Sequence, residues 1–170
     1  REVDYGGAEL RPVAILTTHH HWDHMAGNRA LRKLYPQIEV CGGADDRVSA
    51  VTRRLRDGAT VRVGGLRVLA LSAPCHTRGS LCFHIQADGD AGSVFTGDTL
   101  FPGGPGRSKS HEALKHIISS LESHIFVLPE ITIVLPGHGE FTTIGDSKRE
   151  YAMFASKPMS SMLSGDVTWA

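Results

Sequence analysis

An apolar run, Val13-Ala14-Ile15-Leu16, leads directly into Thr17-Thr18-His19-His20-His21-Trp22-Asp23-His24. No other stretch of the chain narrows the fold as much. A continuous apolar tetrad reads as a strand buried on both faces, so the cluster behind it places metal-ligating side chains at the carboxyl end of a core strand. In extended chain, residues two apart face the same way. His19, His21 and Asp23 therefore converge on one side and His24 follows at the bend, while His20 turns toward solvent or the layer behind. Imidazole suits zinc, iron, nickel or copper, and an added carboxylate suits a harder divalent ion.

Three further sites repeat this design. His76 follows a strand expected over 66–71, Asp98 follows one over 93–96, and His138 follows one over 131–135. Candidate ligands thus gather at strand ends, where the loops of layered α/β folds collect functional groups. Between them, Gly64-Gly65 marks a hairpin of strands over 59–63 and 66–71, and Leu81, Phe83 and Ile85 alternate in a strand over 80–87 that turns at Asp88-Gly89. Residues 38–41 read as a further strand. Helical spacing predicts a helix after Asn28 over Arg29–Tyr35, with Leu31, Leu34 and Tyr35 on one face. A second is capped by Ser110, with Ala113, Leu114, Ile117, Ile118 and Leu121 on one side, and a third covers about 147–154. Strands and helices mix throughout, which predicts an α/β (α+β) layered domain. Its 170 residues amount to one such domain.

Charge and composition exclude several classes. Eighteen basic and eighteen acidic residues cancel, so no global field draws the chain to nucleic acid or an anionic membrane. Arg53, Arg54 and Arg56 read as a solvated face. The apolar runs are too short to span a bilayer. Cys41, Cys75 and Cys82 are an odd count without a CxxC pair, which points to a reducing, cytoplasmic compartment. Cys75 is expected to pack rather than ligate. His84 reads as a surface residue on the polar face of its strand, and His111, His116 and His124 as exposed.

Thr18-His19-His20-His21-Trp22-Asp23-His24 has the form THxHxDH, and with His76, Asp98 and His138 in order the chain resembles the metallo-β-lactamase fold superfamily. The resemblance implies an αββα sandwich with two divalent metals at one edge, zinc by expectation, with iron or manganese as alternatives. It implies that His19, His21 and His76 bind one metal, that Asp23, His24 and His138 bind the other, and that Asp98 bridges both. Two such ions about 3.5–4 Å apart hold a shared hydroxide near neutral pH, and the residual positive charge favours a developing oxyanion. Asp23 and Asp98 are then the catalytic carboxylates.

Within the superfamily, the stretches His19–His24, Ala73–Thr77 and Phe95–Phe101 look like glyoxalase II, which cleaves S-2-hydroxyacylglutathione thioesters. Arg107 occupies the place of that family's basic substrate residue, following the loop 103–106, and a guanidinium forks well onto a substrate carboxylate. Lys109, the second substrate-binding candidate, and Glu140 stand where tyrosines are expected. The short stretch after His138 leaves no room for the C-terminal glutathione-binding helical domain, and the few residues before His19 imply that strands of the first sheet are truncated. The expectation is one domain over 1–170 that hydrolyses a small-molecule thioester, with no nucleic-acid or membrane partner. The alternatives are another ester, lactone or phosphoester hydrolase, a mononuclear-iron persulfide dioxygenase, or a non-catalytic metal-stabilised remnant. Metal content and turnover on one sample discriminate them.

Overall fold

The computed structural model describes residues 11–74, 76–86 and 89–169; the packing expected of Cys75 and the first residue of the turn expected at Asp88-Gly89 lie outside them. Two sheets face each other. The smaller joins β1 (Ala14–Leu16), β2 (Glu39–Gly43) and β3 (Arg53–Leu55), all parallel. Between its first two strands run a one-turn helix α1 (Trp22–Met25) and α2 (Asn28–Leu34). The larger has the order β11-β10-β7-β6-β5-β4, built from β4 (Thr60–Val63), β5 (Leu66–Ser72), β6 (Leu81–Gln86), β7 (Ser93–Gly97), β10 (Ile133–Pro136) and β11 (Thr142–Thr143). A ribbon of β8 (Leu100–Phe101) and β9 (Gly104–Pro105) leads to α3 (His111–Ser120), which continues as a wider π turn over Leu121–Ile125; α4 (Ile144–Ala155) follows.

The large sheet is covered on both sides. Leu81 and Phe83 of β6 join Cys41, Leu55, Val61 and Val68 in a core between the sheets. Cys82, from the same strand, joins Val94, Val134, Leu114, Ile117, Leu121 and Ile144 in a second core under α3 and α4. Burial of these apolar side chains, about 1.5–3 kcal/mol each, drives the layering. The cap expected at Ser110 forms, its Oγ accepting from Ala113 N, and α4, which starts before the expected residue 147, is capped by Thr143 Oγ1 accepting from Asp146 N. Antiparallel pairing of β5 with β6 and of β6 with β7, and parallel pairing of β7 with β10, bring the C-terminal ends of β5, β7 and β10 to one edge.

Several expectations need correction. β1 is only half-buried, because in the described residues it is paired on one side alone. The shared apolar face of α2, for which spacing named no partner, is exposed, Leu34 by 68%. Asn28 opens that helix instead of preceding it, and its buried amide donates to Thr17 Oγ1 and Ser49 O, locking α2 to the loop behind β1. His84 is buried, not on the surface: both faces of β6 are covered, and its Nε2 reaches the Ala91 carbonyl at 3.0 Å. Arg54 and Arg56 are exposed, as a solvated face requires, but Arg53 and Arg54 belong to strand β3, with guanidiniums on Glu39, Thr60 O, Ala44 O and Asp46 O. His111 and His124 are half-buried, the first with Nδ1 against Leu163 O and the second beside Asp57; His116 is exposed.

Candidate metal centre

The seven residues singled out by the sequence come together at this edge. His19 and His21 sit on the segment leaving β1, held where Thr17 N donates to Cys41 O and Leu81 N donates to Thr18 O. The chain then turns into α1, which carries Asp23 and His24. His76 follows β5, Asp98 follows β7 and His138 follows β10.

They form two sets of donor atoms. In the first, His21 Nδ1 lies 3.1 Å from His19 Nε2 and 3.0 Å from His76 Nε2, and Asp98 Oδ2 lies 3.4 Å from His76 Nε2 and 3.8 Å from His19 Nε2. In the second, His24 Nε2 lies 3.2 Å from His138 Nε2 and 3.4 Å from Asp23 Oδ2, while Asp23 Oδ2 is 3.2 Å from His138 Nε2. Asp98 Oδ1 completes this set at 3.3 Å from His24 and 3.7 Å from His138. The Asp98 carboxylate thus turns one oxygen to each side. Around a tetrahedral ion with bonds of about 2.0–2.1 Å, neighbouring donors lie roughly 3.3–3.4 Å apart, and the observed separations bracket that value.

The donor chemistry fits a cation as well. Asp98 Oδ1 is buried and has no hydrogen-bond partner among the described residues, a cost that a bound ion removes. Burial first, then the rings of His24, His76 and His21, depress the His19 pKa to about 3, and burial likewise lowers that of His76. Both rings are therefore neutral at physiological pH, the form that ligates metal. His76 Nδ1–H donates to the Arg107 carbonyl at 3.4 Å, which leaves its Nε2 lone pair directed at the cluster, and His19 Nδ1 is held 3.1 Å from Thr18 Oγ1, with its Nε2 turned to the other donors. Partial desolvation pushes the Asp23 carboxyl up, but its own backbone N–H and the rings of His24 and His138 hold it below the usual carboxylate range. Gly137 makes the second set possible, since a Cβ there would stand 2.5 Å from both Asp98 Oδ1 and His24 Cε1.

Arg107 enters differently from expectation. Its backbone carbonyl anchors His76, whereas its guanidinium is exposed, 4.0 Å from Asp166. Lys109 is exposed two residues on, and Glu140 is exposed beyond His138. His20 turns away from the donors, as alternation requires, and meets a residue that sequence reasoning missed: Asp46, 2% exposed. The usable signal was its position just after β2, the logic that found His76, Asp98 and His138.

The chain belongs to the metallo-beta-lactamase superfamily, whose family model matches residues 5–152. Within it, the chain is similar to a probable hydroxyacylglutathione hydrolase of Schizosaccharomyces pombe, 41% identical over 159 residues, covering 90% of this chain and 56% of the relative. It spans about half the length of the curated relatives it matches. Among solved structures, ETHE1 from Myxococcus xanthus is 33% identical with a TM-score of 0.72, over 86% of this chain and 64% of that one. A protein solved in a di-iron-bound form is 30% identical with a TM-score of 0.65, over 82% and 76%. Among the described residues, no helix is long and apolar enough to cross a membrane.

Proposed function

We propose that residues 1–170 form a single hydrolase unit that holds two divalent metal ions and cleaves a thioester of the S-2-hydroxyacylglutathione type. The observation that carries this reading is Asp98, whose two carboxylate oxygens complete two separate donor sets. His19, His21 and His76 would hold one ion, and Asp23, His24 and His138 the other, with zinc favoured by the histidine-rich set and iron or manganese as alternatives. When bound, such a pair supplies a nucleophilic water at neutral pH and polarises the thioester carbonyl.

The chain's own groups do the rest. Asp23 stays ionised at the exposed side, where it accepts a hydrogen bond from the attacking water and orients it. His138, with 57% of its side chain exposed, marks the face from which substrate enters. The Arg107 guanidinium, exposed on the adjoining loop with Asp166 at 4.0 Å, would exchange that partner for a substrate carboxylate, with Lys109 beside it. The named relatives support the glutathione thioester as the substrate class, and the solved di-iron relative supports a two-metal site. The buried free thiols of Cys41 and Cys82, both pushed up to about 12 by burial, are consistent with a reducing, cytoplasmic compartment.

Elemental analysis and S-D-lactoylglutathione hydrolysis on the same sample test this. About two metals per chain with chelator-sensitive turnover is the expected result. Two metals without turnover of this or other thioesters would keep the centre and remove the thioesterase. A single iron would replace it by a dioxygenase, and absence of metal would overturn the reading.

A further inference from the structure

Asp46 touches none of the seven donor residues, yet its carboxylate lies between the two loops that carry the three-histidine set. Its Oδ2 accepts from the backbone N–H of His20 at 3.0 Å and from Thr77 Oγ1 at 2.7 Å. Its Oδ1 accepts from Gly79 N at 2.8 Å and lies 3.0 Å from His20 Nδ1. One buried group therefore grips the residue between His19 and His21 and, at the same time, the residue after His76. These partners are 26 to 33 residues away in sequence, so the carboxylate cross-links segments that share no local hydrogen-bond pattern through it. Thr77 and Ser80 close the second loop on itself, with Thr77 N donating to Ser80 Oγ. Gly79 lets that loop approach, since a Cβ there would stand 2.5 Å from Asp46 N.

A buried carboxylate is costly unless every lone pair is used, and here each oxygen faces two polar partners. An amide in the same place would turn N–H donors against donors. We propose, on the reading of this edge as a metal centre, that Asp46 is a positioning residue: it fixes the distance between the His19/His21 loop and the His76 loop. It thereby sets metal affinity at the three-histidine set and leaves the Asp23/His24/His138 set unaffected. Outer groups that orient ligands typically change affinity by about 10–100-fold, and that is the size of effect expected here.

The test measures zinc affinity by competition with a chromogenic chelator, one donor set at a time. His138→Ala isolates the three-histidine set and His76→Ala isolates the other. Adding Asp46→Asn is expected to weaken zinc about 10–100-fold in the first background and to leave the second within error. Thr77→Val, which removes one of the four contacts and no charge, gives the same asymmetry at smaller size and carries the test if Asp46→Asn does not fold. Equal weakening of both sets assigns Asp46 a general structural role and overturns the proposal, as does no weakening of either. Failure of the His138→Ala and His76→Ala proteins, with Asp46 intact, to bind zinc instead overturns the metal-centre reading itself.

Discussion

The two halves of the donor cluster are built on different principles. The three-histidine half is enclosed: His19 is 1% exposed, its ring is held by Thr18, the His76 tautomer is set by the Arg107 carbonyl, and Asp46 ties their loops together. The other half rests on a one-turn helix and on a loop past β10, with the Asp23 and His138 side chains 38% and 57% exposed. Preorganisation and access are in tension at any metal site, because the contacts that fix a ligand also close the space around it. Here they are separated by region, with Asp98 as the shared member. On the proposed reading, the enclosed half would hold its ion and the open half would face substrate.

The sharpest way to break this division is to remove what the halves share. Asp98→Ala deletes a donor from both sets, and we expect loss of both metals and of turnover, well beyond the 10–100-fold typical of outer groups. Elemental analysis checks it, and retention of two metals would contradict the shared role. His76→Ala and His138→Ala then separate the halves. Each is expected to leave about one metal per chain. The His138 variant should keep the tighter-binding one, since its remaining donors are already positioned; the reverse order of chelator affinities would invert the comparison.

Legibility in the sequence follows the same boundary between local and long-range. The seven donors could be read because each lies in the segment that follows a strand, and the strands announce themselves by apolar runs and alternation. β3 could not: Arg53-Arg54-Leu55 has no apolar period, and it becomes a strand because β2 offers it parallel hydrogen bonds. Leu31, Leu34 and Tyr35 have helical spacing, but spacing alone does not say whether a face finds a partner, and theirs does not among the described residues. His84 looked exposed because alternation assumes one open face, while β6 has none. Asp46 was invisible in its role because its partners are assembled only by the tertiary fold. So was the strap formed by Gly165–Trp169, a stretch without a local signal.

That strap supports the rigid half from outside. Ser108 and Gly165 exchange backbone hydrogen bonds at 3.0 and 2.9 Å, and Trp169 N donates to Gly103 O. The loop so held presents the Arg107 carbonyl to His76. The indole, 2% exposed, packs against Phe126, Tyr151 and Phe154. Trp169→Ala should cost about 3–5 kcal/mol in urea unfolding. It should also weaken zinc at the three-histidine half several-fold while sparing the other; equal loss at both would mean that the strap serves stability alone.

The smallest expected effect is a pH dependence confined to metal-free protein. Burial raises the Asp46 pKa, but hydrogen bonds from Thr77, His20 and Gly79 outweigh it and hold the carboxyl below the usual range. A folded pKa lower than the unfolded value of about 3.9 means that the unfolded chain binds the proton more tightly. The stabilisation from the ionised carboxylate is therefore fully present above about pH 4 and disappears as pH falls through the folded pKa. Wild type and Asp46→Asn should differ in urea midpoint by a constant amount from about pH 5 to 8, and the gap should close only below pH 4. The His20 ring faces this carboxylate at 3.0 Å, and a gap that changes between about pH 8 and 6 would contradict the assignment of the linkage to Asp46.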